Sequence, residues 1–479
     1  MERKNPCIAM VPSPGFSHLL PPIEFSKRLV AHHPHFHITF FIPTLGPPSP
    51  TTHSIFESLP PQIDFTILPQ INMEDLKAQD PETQIYNTVT LSLPSLRNAL
   101  MSSFFGSPTH HHHLVAMVLD FFSVAALDIA KEFELKSYFL YPSSSTSLFF
   151  CFHFPELDED HEMVPTGFRD LSQPLKLPGC ISFQGKDLPS PVQERSSEAY
   201  KIVLLACQKL RLLDGIVVNS FVDLERDVIT ALLESDHDYP RVCHVGPILR
   251  TRSTNVSGSN SECLTWLGNQ PRNSVLYVSF GSGGTLSQDQ LDELALGLEM
   301  SGHKFLWVVR APSGLANSAY LSAQKEDPLD YLPKGFIDRT KGQGFVVPSW
   351  APQIEVLSHE STGGFLTHCG WNSTLEAIVY GKPMIVWPLF AEQGMNAVMI
   401  TEQFKVGVRP RGDENKNGIV EREEVAKVVK IVMESDEGRE LRRRTEVLKD
   451  AAAEALSEDG SSTKALSNLA QEWSNLSGI

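Results

Sequence analysis

The stretch from Trp350 to Gln393 brings several anion-binding groups to the start of one predicted helix. An apolar strand, Gly364 to Thr367, leads through a turn at Gly370 into a helix that begins near Asn372. The first turn of a helix carries unpaired backbone N–H groups and the positive end of the helix dipole. His368, just before the turn, can add a ring N–H or a full positive charge. Together these groups predict a site for a diphosphate.

Side chains that suit a nucleoside and a sugar surround this helix start. Trp350 and Trp371 each offer a flat indole face that can stack on a base or cover a sugar. Glu376, about one turn into the helix, can accept hydrogen bonds from a ribose diol. Glu392 and Gln393 follow a second apolar strand, at the edge where α/β sheets bind ligands, and there they can contact sugar hydroxyls. Taken singly, these residues also fit structural roles, such as core packing for a tryptophan or helix capping for Gln393.

A histidine and an aspartate follow two apolar strands in the first half of the chain. His18 comes shortly after the strand CIAMVP, and Asp120 ends the strand LVAMVL. Both positions lie at the carboxyl edge of a predicted sheet, so the side chains can meet and form a general base with its orienting carboxylate. Asp120 could instead cap the helix that follows, and neither role excludes the other.

The order of these residues identifies a family resemblance. The segment from Trp350 to Gln393, together with MVPSPGFSHLLP near the N-terminus, closely resembles plant family 1 UDP-glycosyltransferases and their secondary-product signature box. The resemblance covers essentially the whole chain and is strongest to the hydroquinone and monolignol glucosyltransferase branch. It implies that His18 is the general base and that Asp120 orients it. The implied donor-binding residues are Ser282, Trp350, Ala351, Gln353, His368, Trp371, Asn372, Ser373, Glu376, Glu392 and Gln393.

The activity implied by this resemblance is transfer of glucose from UDP-glucose, with inversion, to the hydroxyl of a small phenol. Hydroquinone, monolignols, flavonoids and stilbenes are the expected acceptor classes. No metal or other cofactor is expected, because His368, Ser282, Asn372 and Ser373 would carry the charge of the leaving diphosphate. Gln393 implies glucose as the sugar, since its amide can bridge two adjacent equatorial hydroxyls.

Aromatic residues of the first half suit an acceptor pocket. The candidates are Phe16, Phe121, Phe122, Phe149 and Phe150, which could wall an aromatic ring. Core packing is the alternative role for some of them.

Two other classes of protein would share part of this pattern. A nucleotide-sugar epimerase would place carboxylates around the sugar, but it has no reason to keep a histidine and an aspartate on the first sheet. A non-catalytic nucleotide-sugar-binding protein would keep the donor residues and lose His18 or Asp120, and both are present.

Composition limits the partners and the compartment. The formal charge of −17 over 479 residues argues against nucleic acid or an anionic membrane as a general partner. The odd, scattered cysteines, the lack of a signal peptide and the lack of a long apolar run predict a cytoplasmic protein with no membrane span. A monomer is expected. The run His110–His113 is interpreted as an exposed loop, because consecutive side chains do not share a face and cannot hold one metal ion.

Alternating strand and helix patterns must position these groups. They predict an α/β protein with parallel sheets, and the resemblance implies the GT-B arrangement of two doubly wound Rossmann-like domains facing a cleft. We place an acceptor-binding domain at residues 1–249 and a polar linker at 250–260. The UDP-sugar-binding domain follows at 261–455, and a last helix near 456–479 is implied to pack back on the first domain.

Overall fold

The computed structural model of the chain describes residues 5–46, 55–72, 76, 79–106, 112–164, 166–234, 239–250, 259–318, 327–416 and 418–476. In these residues the strands form two separate sheets, one in each half of the chain, and every pairing within them is parallel. Helices connect most of the successive strands, as the crossovers of parallel pairing require. The α/β fold class with two Rossmann-like units is therefore confirmed.

The first sheet has the strand order β3-β2-β1-β4-β5-β6-β7. Its central strands are apolar on both faces because helices cover both sides. The strands are β1 (Asn5–Val11), β2 (His37–Ile42), β3 (Ile63–Ile67), β4 (His112–Leu119), β5 (Lys136–Tyr141), β6 (Gly215–Val218) and β7 (Arg241–His244). The helices of this half are α1 (Phe16–His32), α2 (Pro81–Leu100), α3 (Leu127–Glu132), α4 (Ser145–Glu159), α5 (Glu198–Leu210) and α6 (Arg226–Leu233).

The second sheet has the strand order β10-β9-β8-β11-β12-β13. Its strands are β8 (Val275–Ser279), β9 (Lys304–Val309), β10 (Gly344–Pro348), β11 (Thr362–Thr367), β12 (Met384–Val386) and β13 (Gly407–Val408). Its helices are α7 (Ser259–Gly268), α8 (Gln288–Ser301), α9 (Phe336–Arg339), α10 (Gln353–Ser358), α11 (Trp371–Val379), α12 (Gln393–Val398), α13 (Arg422–Glu434) and α14 (Asp436–Ala455).

The last helix, α15 (Ser461–Leu476), packs on the first sheet although it follows the second. Its Trp473 is fully buried and contacts Phe25, Phe36 and Tyr138 edge to face. The proposed domain limits stay a prediction, because most of the predicted linker lies outside the described residues.

Strand order places the chemistry in each half. In both sheets the connections reverse direction beside the first strand of the half, and ligands bind at such a switch point, outside the carboxyl ends of the strands. In the first sheet the reversal lies between β1, which precedes His18, and β4, which precedes Asp120. In the second it lies between β8, which precedes Ser282, and β11, which precedes His368.

Other predictions have mixed outcomes. His112 and His113 begin β4, so the loop prediction is wrong for them, and His110 and His111 lie outside the described residues. No disulfide joins the seven cysteines, all of which the structure describes. Within the described ranges, no helix is long and apolar enough to cross a membrane.

Candidate functional site

A cavity of about 1560 Å³ is lined by residues of both halves. This volume exceeds the roughly 300–1,000 Å³ of a typical site for one small ligand, so it can hold two substrates together. His18 lines the cavity from the first half. From the second half the predicted donor residues all line it, namely Ser282, Trp350, Ala351, Gln353, His368, Trp371, Asn372, Ser373, Glu376, Glu392 and Gln393.

His18 and Asp120 meet at the edge of the first sheet. Nδ1 of His18 lies 2.8 Å from Oδ2 of Asp120, and that carboxylate oxygen also accepts the N–H of Ser13 at 3.2 Å. The other oxygen accepts the N–H of Phe121, and the backbone N–H of Asp120 donates to Ser123 Oγ, which completes a capping box. Asp120 therefore caps the helical turn and contacts His18 at the same time, so its two possible roles coexist.

This arrangement determines which ring nitrogen of His18 can act as a base. Because Asp120 is held by backbone donors, Nδ1 of a neutral His18 carries the proton and Nε2 has the basic lone pair. Burial alone would lower the pKa of His18, but Asp120 and, more weakly, Glu392 raise it above the ordinary value. A raised pKa makes the ring a better proton acceptor.

The start of α11 is fixed by contacts to its side chains. Gln353 donates its amide N–H groups to Ser373 Oγ at 2.9 Å and to Glu376 Oε2 at 2.6 Å. Asn372 Oδ1 accepts from Asn219 Nδ2, a residue of the first half, at 3.2 Å. Gln353, Ser373 and Glu376 thus form one hydrogen-bonded group beside Asn372 at a helix N-terminus, where an anion is stabilised.

Of the two forms of His368 that the sequence allowed, its surroundings favour the neutral ring. Burial and the nearby charge of Arg310 lower its pKa to about 4. The ring is enclosed by the backbone, since a Cβ atom added at Gly281 would lie 2.4 Å from Nε2 and one at Gly370 would lie 2.6 Å from it. His368 can therefore offer a ring N–H at neutral pH, but no full charge.

The side chain of Gln393 is already partly engaged. Its Oε1 accepts the backbone N–H groups of Leu389 at 2.8 Å and Phe390 at 3.0 Å. The prediction that both ends of this amide contact the sugar is therefore wrong for the oxygen, and only the amino group can donate to a ligand. Glu392 Oε1 accepts from Ser143 Oγ of the first half at 3.0 Å, which holds the carboxylate beside Gln393.

Comparison with known proteins identifies the family to which this chain belongs. Residues 233–438 match the model of the family described as UDP-glucoronosyl and UDP-glucosyl transferase. The chain is 50% identical to a hydroquinone glucosyltransferase of Rauvolfia serpentina over 98% of both chains. The chain belongs to this family. It is a UDP-sugar-dependent glycosyltransferase.

Solved structures of related glycosyltransferases agree with the fold. UGT2 of Phytolacca americana, in complex with UDP-2fluoro-glucose and pterostilbene, superposes with a TM-score of 0.87 at 44% identity, covering 98% of this chain and 100% of that one. A Polygonum tinctorium UDP-glucosyltransferase capable of glucosylating indoxyl, in complex with 3,4-dichloroaniline, gives a TM-score of 0.89 at 44% identity, covering 99% and 100%. The two sheets found here therefore have the GT-B arrangement of this family.

The two indoles of this glycosyltransferase have different surroundings. Trp350 is 38% exposed, and the guanidinium of Arg250 lies 5.7 Å from its ring centroid. Trp371 is buried, and its Nε1–H donates to the backbone oxygen of Asn219 at 2.7 Å. Trp350 is thus the more exposed of the two indoles, whereas Trp371 joins the two halves next to the helix start.

The predicted aromatic wall is only partly present. Phe121, Phe122 and Phe150 line the cavity, and Phe122 contacts His18 edge to face. Phe149 is buried against His153 and does not line it, so its prediction is wrong. Adjacent residues on a helix point about 100° apart, and the side of α4 that lines the cavity is formed by Ser147, Phe150 and Cys151, which leaves Phe149 on another side. The side chain of Phe16 lies outside the described residues.

Two cavity residues, Arg310 and Arg250, and one residue behind the cavity wall, Asn219, were missed in the sequence. Arg310 directly follows β9, and its position at the carboxyl edge of a sheet was an available signal. Arg250, at the start of the predicted linker, contacts Trp350, and Asn219 of the first half contacts Trp371; no local pattern reveals such contacts.

The pH dependence of nucleoside binding should reveal the role of Glu376. Burial raises its pKa to about 7, against the opposing effect of the Gln353 hydrogen bond. Below that pH the carboxyl carries a proton and accepts fewer hydrogen bonds from a ribose, so affinity should rise as pH increases through 7. We expect roughly a three- to tenfold rise for uridine, which lacks titrating phosphates.

NMR-detected binding of uridine on either side of pH 7 tests this, with Glu376→Gln as the control. The variant should bind uridine with an affinity that does not change with pH. An identical pH dependence in the wild type and the variant would show that Glu376 does not contact the nucleoside.

Proposed function

We propose that this glycosyltransferase transfers glucose from UDP-glucose to the hydroxyl of a small phenol and inverts the anomeric carbon. Nε2 of His18 takes the phenolic proton, the phenolate oxygen bonds to the anomeric carbon, and the bond from that carbon to the diphosphate breaks. The electron pair leaves with UDP. The 2.8 Å contact of His18 with Asp120, in the same cavity as the diphosphate residues, carries the proposal.

Named relatives support the choice of acceptor and donor. One is a hydroquinone glucosyltransferase, and one structure holds a UDP-glucose analogue with pterostilbene. The aromatic wall of Phe121, Phe122 and Phe150 suits a phenolic ring. The backbone N–H groups of α11, Asn372 and Ser373 would stabilise the leaving diphosphate without a metal ion. A monomeric state and a cytoplasmic location are part of the proposal.

The decisive experiment supplies UDP-glucose with single acceptors. Hydroquinone, a monolignol, a flavonoid and a stilbene are tested separately, and an aniline is added because one related structure holds 3,4-dichloroaniline. A β-glucoside and UDP should form in equal amounts, as followed by chromatography and NMR. Conversion of UDP-glucose into another UDP-sugar without any acceptor would instead indicate an epimerase. Binding of UDP-glucose without conversion would indicate a non-catalytic binding protein.

Donor choice should depend on Gln393. Its amino group can donate to an equatorial hydroxyl of glucose, and the axial fourth hydroxyl of galactose would leave a buried polar group unpaired at a cost of about 1–3 kcal/mol. We therefore expect UDP-glucose to be preferred over UDP-galactose by roughly tenfold to a hundredfold in kcat/KM. Gln393→Ala should lose most of this preference.

The matched variant Gln393→Glu separates recognition from loop support. A carboxylate oxygen can still accept the N–H groups of Leu389 and Phe390, while the amino group is gone. Preference for glucose should fall in this variant too. If Gln393→Glu keeps the full preference for UDP-glucose, the residue supports the loop and does not recognise the sugar.

A further inference from the structure

The diphosphate needs more positive charge than the predicted residues supply. UDP-glucose carries two negative charges on its phosphates, and the UDP that leaves carries more. His368 is neutral, and the chain as a whole is acidic, with a formal charge of −17. A helix N-terminus contributes about half an elementary charge. A partly buried cation next to His368 would supply the remainder.

Arg310 is such a cation. It follows β9, next to β8 in the sheet, and it lines the cavity together with Gly281, Ser282 and His368. Its Nε donates to the backbone oxygen of Gly281 at 3.2 Å, which points to a fixed orientation. Burial lowers the pKa of Arg310, but a guanidinium starts so high that it stays charged at neutral pH.

No carboxylate forms an ion pair with Arg310 among the residues that the structure describes. The other cavity-lining cations are engaged elsewhere. Lys27 pairs with Glu24, Arg28 donates to Val245 and Thr463, and Arg250 lies over Trp350. A mostly buried charge without a counter-charge is costly unless an anionic ligand pairs with it.

We propose that Arg310 binds the diphosphate of the UDP-sugar through its terminal nitrogens and stabilises the UDP that leaves. The planar guanidinium matches phosphate oxygens with two parallel N–H donors, and such charged hydrogen bonds are stronger than neutral ones. The contact should strengthen as the bond to the sugar breaks, because charge then builds up on the terminal phosphate. The inference rests on the proposed function, since it assigns the donor diphosphate to this cavity.

Binding of UDP and uridine to Arg310→Gln separates a phosphate contact from a structural one. UDP affinity, measured by titration calorimetry, should fall about 10- to 100-fold, while uridine affinity measured by NMR should stay within about twofold. Arg310→Lys keeps the charge but loses the two parallel N–H donors of the guanidinium, so its UDP affinity should be intermediate. Arg339→Gln is the charge-matched control, because Arg339 pairs with Glu299 and does not line the cavity, and it should bind UDP like the wild type.

Two results would overturn the inference. One is unchanged UDP affinity in Arg310→Gln, and the other is an equal loss for UDP and uridine, which would show that the residue only supports the glycine turn. If Arg310→Gln does not fold, the same two results in Arg310→Lys decide. Wild-type protein that binds UDP but forms no glucoside would refute the proposed function and leave the role of Arg310 in binding intact, and wild-type protein that binds no UDP would refute both.

Discussion

Replacing His18 with alanine is expected to slow glucosyl transfer to a phenol by about 10² to 10⁴-fold. The substitution removes Nε2, the proposed acceptor of the phenolic proton, and no second histidine is hydrogen-bonded to Asp120 in the described part of the chain. UDP-glucose affinity should remain nearly the same, because the donor residues lie in the second half. The loss should therefore appear in kcat.

Steady-state kinetics and donor binding by calorimetry test this prediction. His161→Ala, at an exposed turn, is a matched control and should keep wild-type turnover. The wild-type rate should also decline at acidic pH, because a protonated His18 cannot accept a proton and its pKa is raised. If His18→Ala retains full turnover, another group must be the base.

The strand pattern was sufficient to predict where the chemistry lies. His18, Asp120 and His368 each follow an apolar strand that is easily recognised, and the carboxyl ends of parallel strands share one edge. The sheet order then brings His18 and Asp120 together, although 102 positions separate them. Local sequence therefore predicted the fold class and the sheet edges where His18, Asp120 and His368 lie, whereas Arg250 and Arg310 of the cavity wall were missed.

Contacts between the halves could not be predicted in this way. The hydrogen bond from Trp371 to Asn219 and the pair of bonds between Ser190 and Ala391 join segments that share no periodic pattern. These contacts hold the donor residues against the first half. The protonation of His368 was likewise hidden, because it depends on burial and on Arg310, which is near His368 in the fold but far from it in the sequence.

The hydrogen bonds of Asp120 make an asparagine at this position a sharp test of its role. Its two oxygens accept N–H groups from Ser13 and Phe121 as well as the ring of His18. Asparagine has only one such oxygen. If that oxygen keeps the backbone bond to Phe121, its NH₂ group faces His18 and favours the tautomer with the proton on Nε2. The lone pair needed to accept the phenolic proton is then on the wrong nitrogen.

Asp120→Asn is therefore expected to lower kcat by roughly tenfold to a thousandfold, less than His18→Ala does. The acidic limb of the rate profile should also move to lower pH, because the carboxylate that raises the pKa of His18 is gone. Loss of the cap alone would lower the melting temperature and leave that limb in place. Asp120→Glu, which keeps the charge, should keep the limb near its wild-type position. If the acidic limb of the rate profile does not shift in Asp120→Asn, Asp120 acts only as a helix cap.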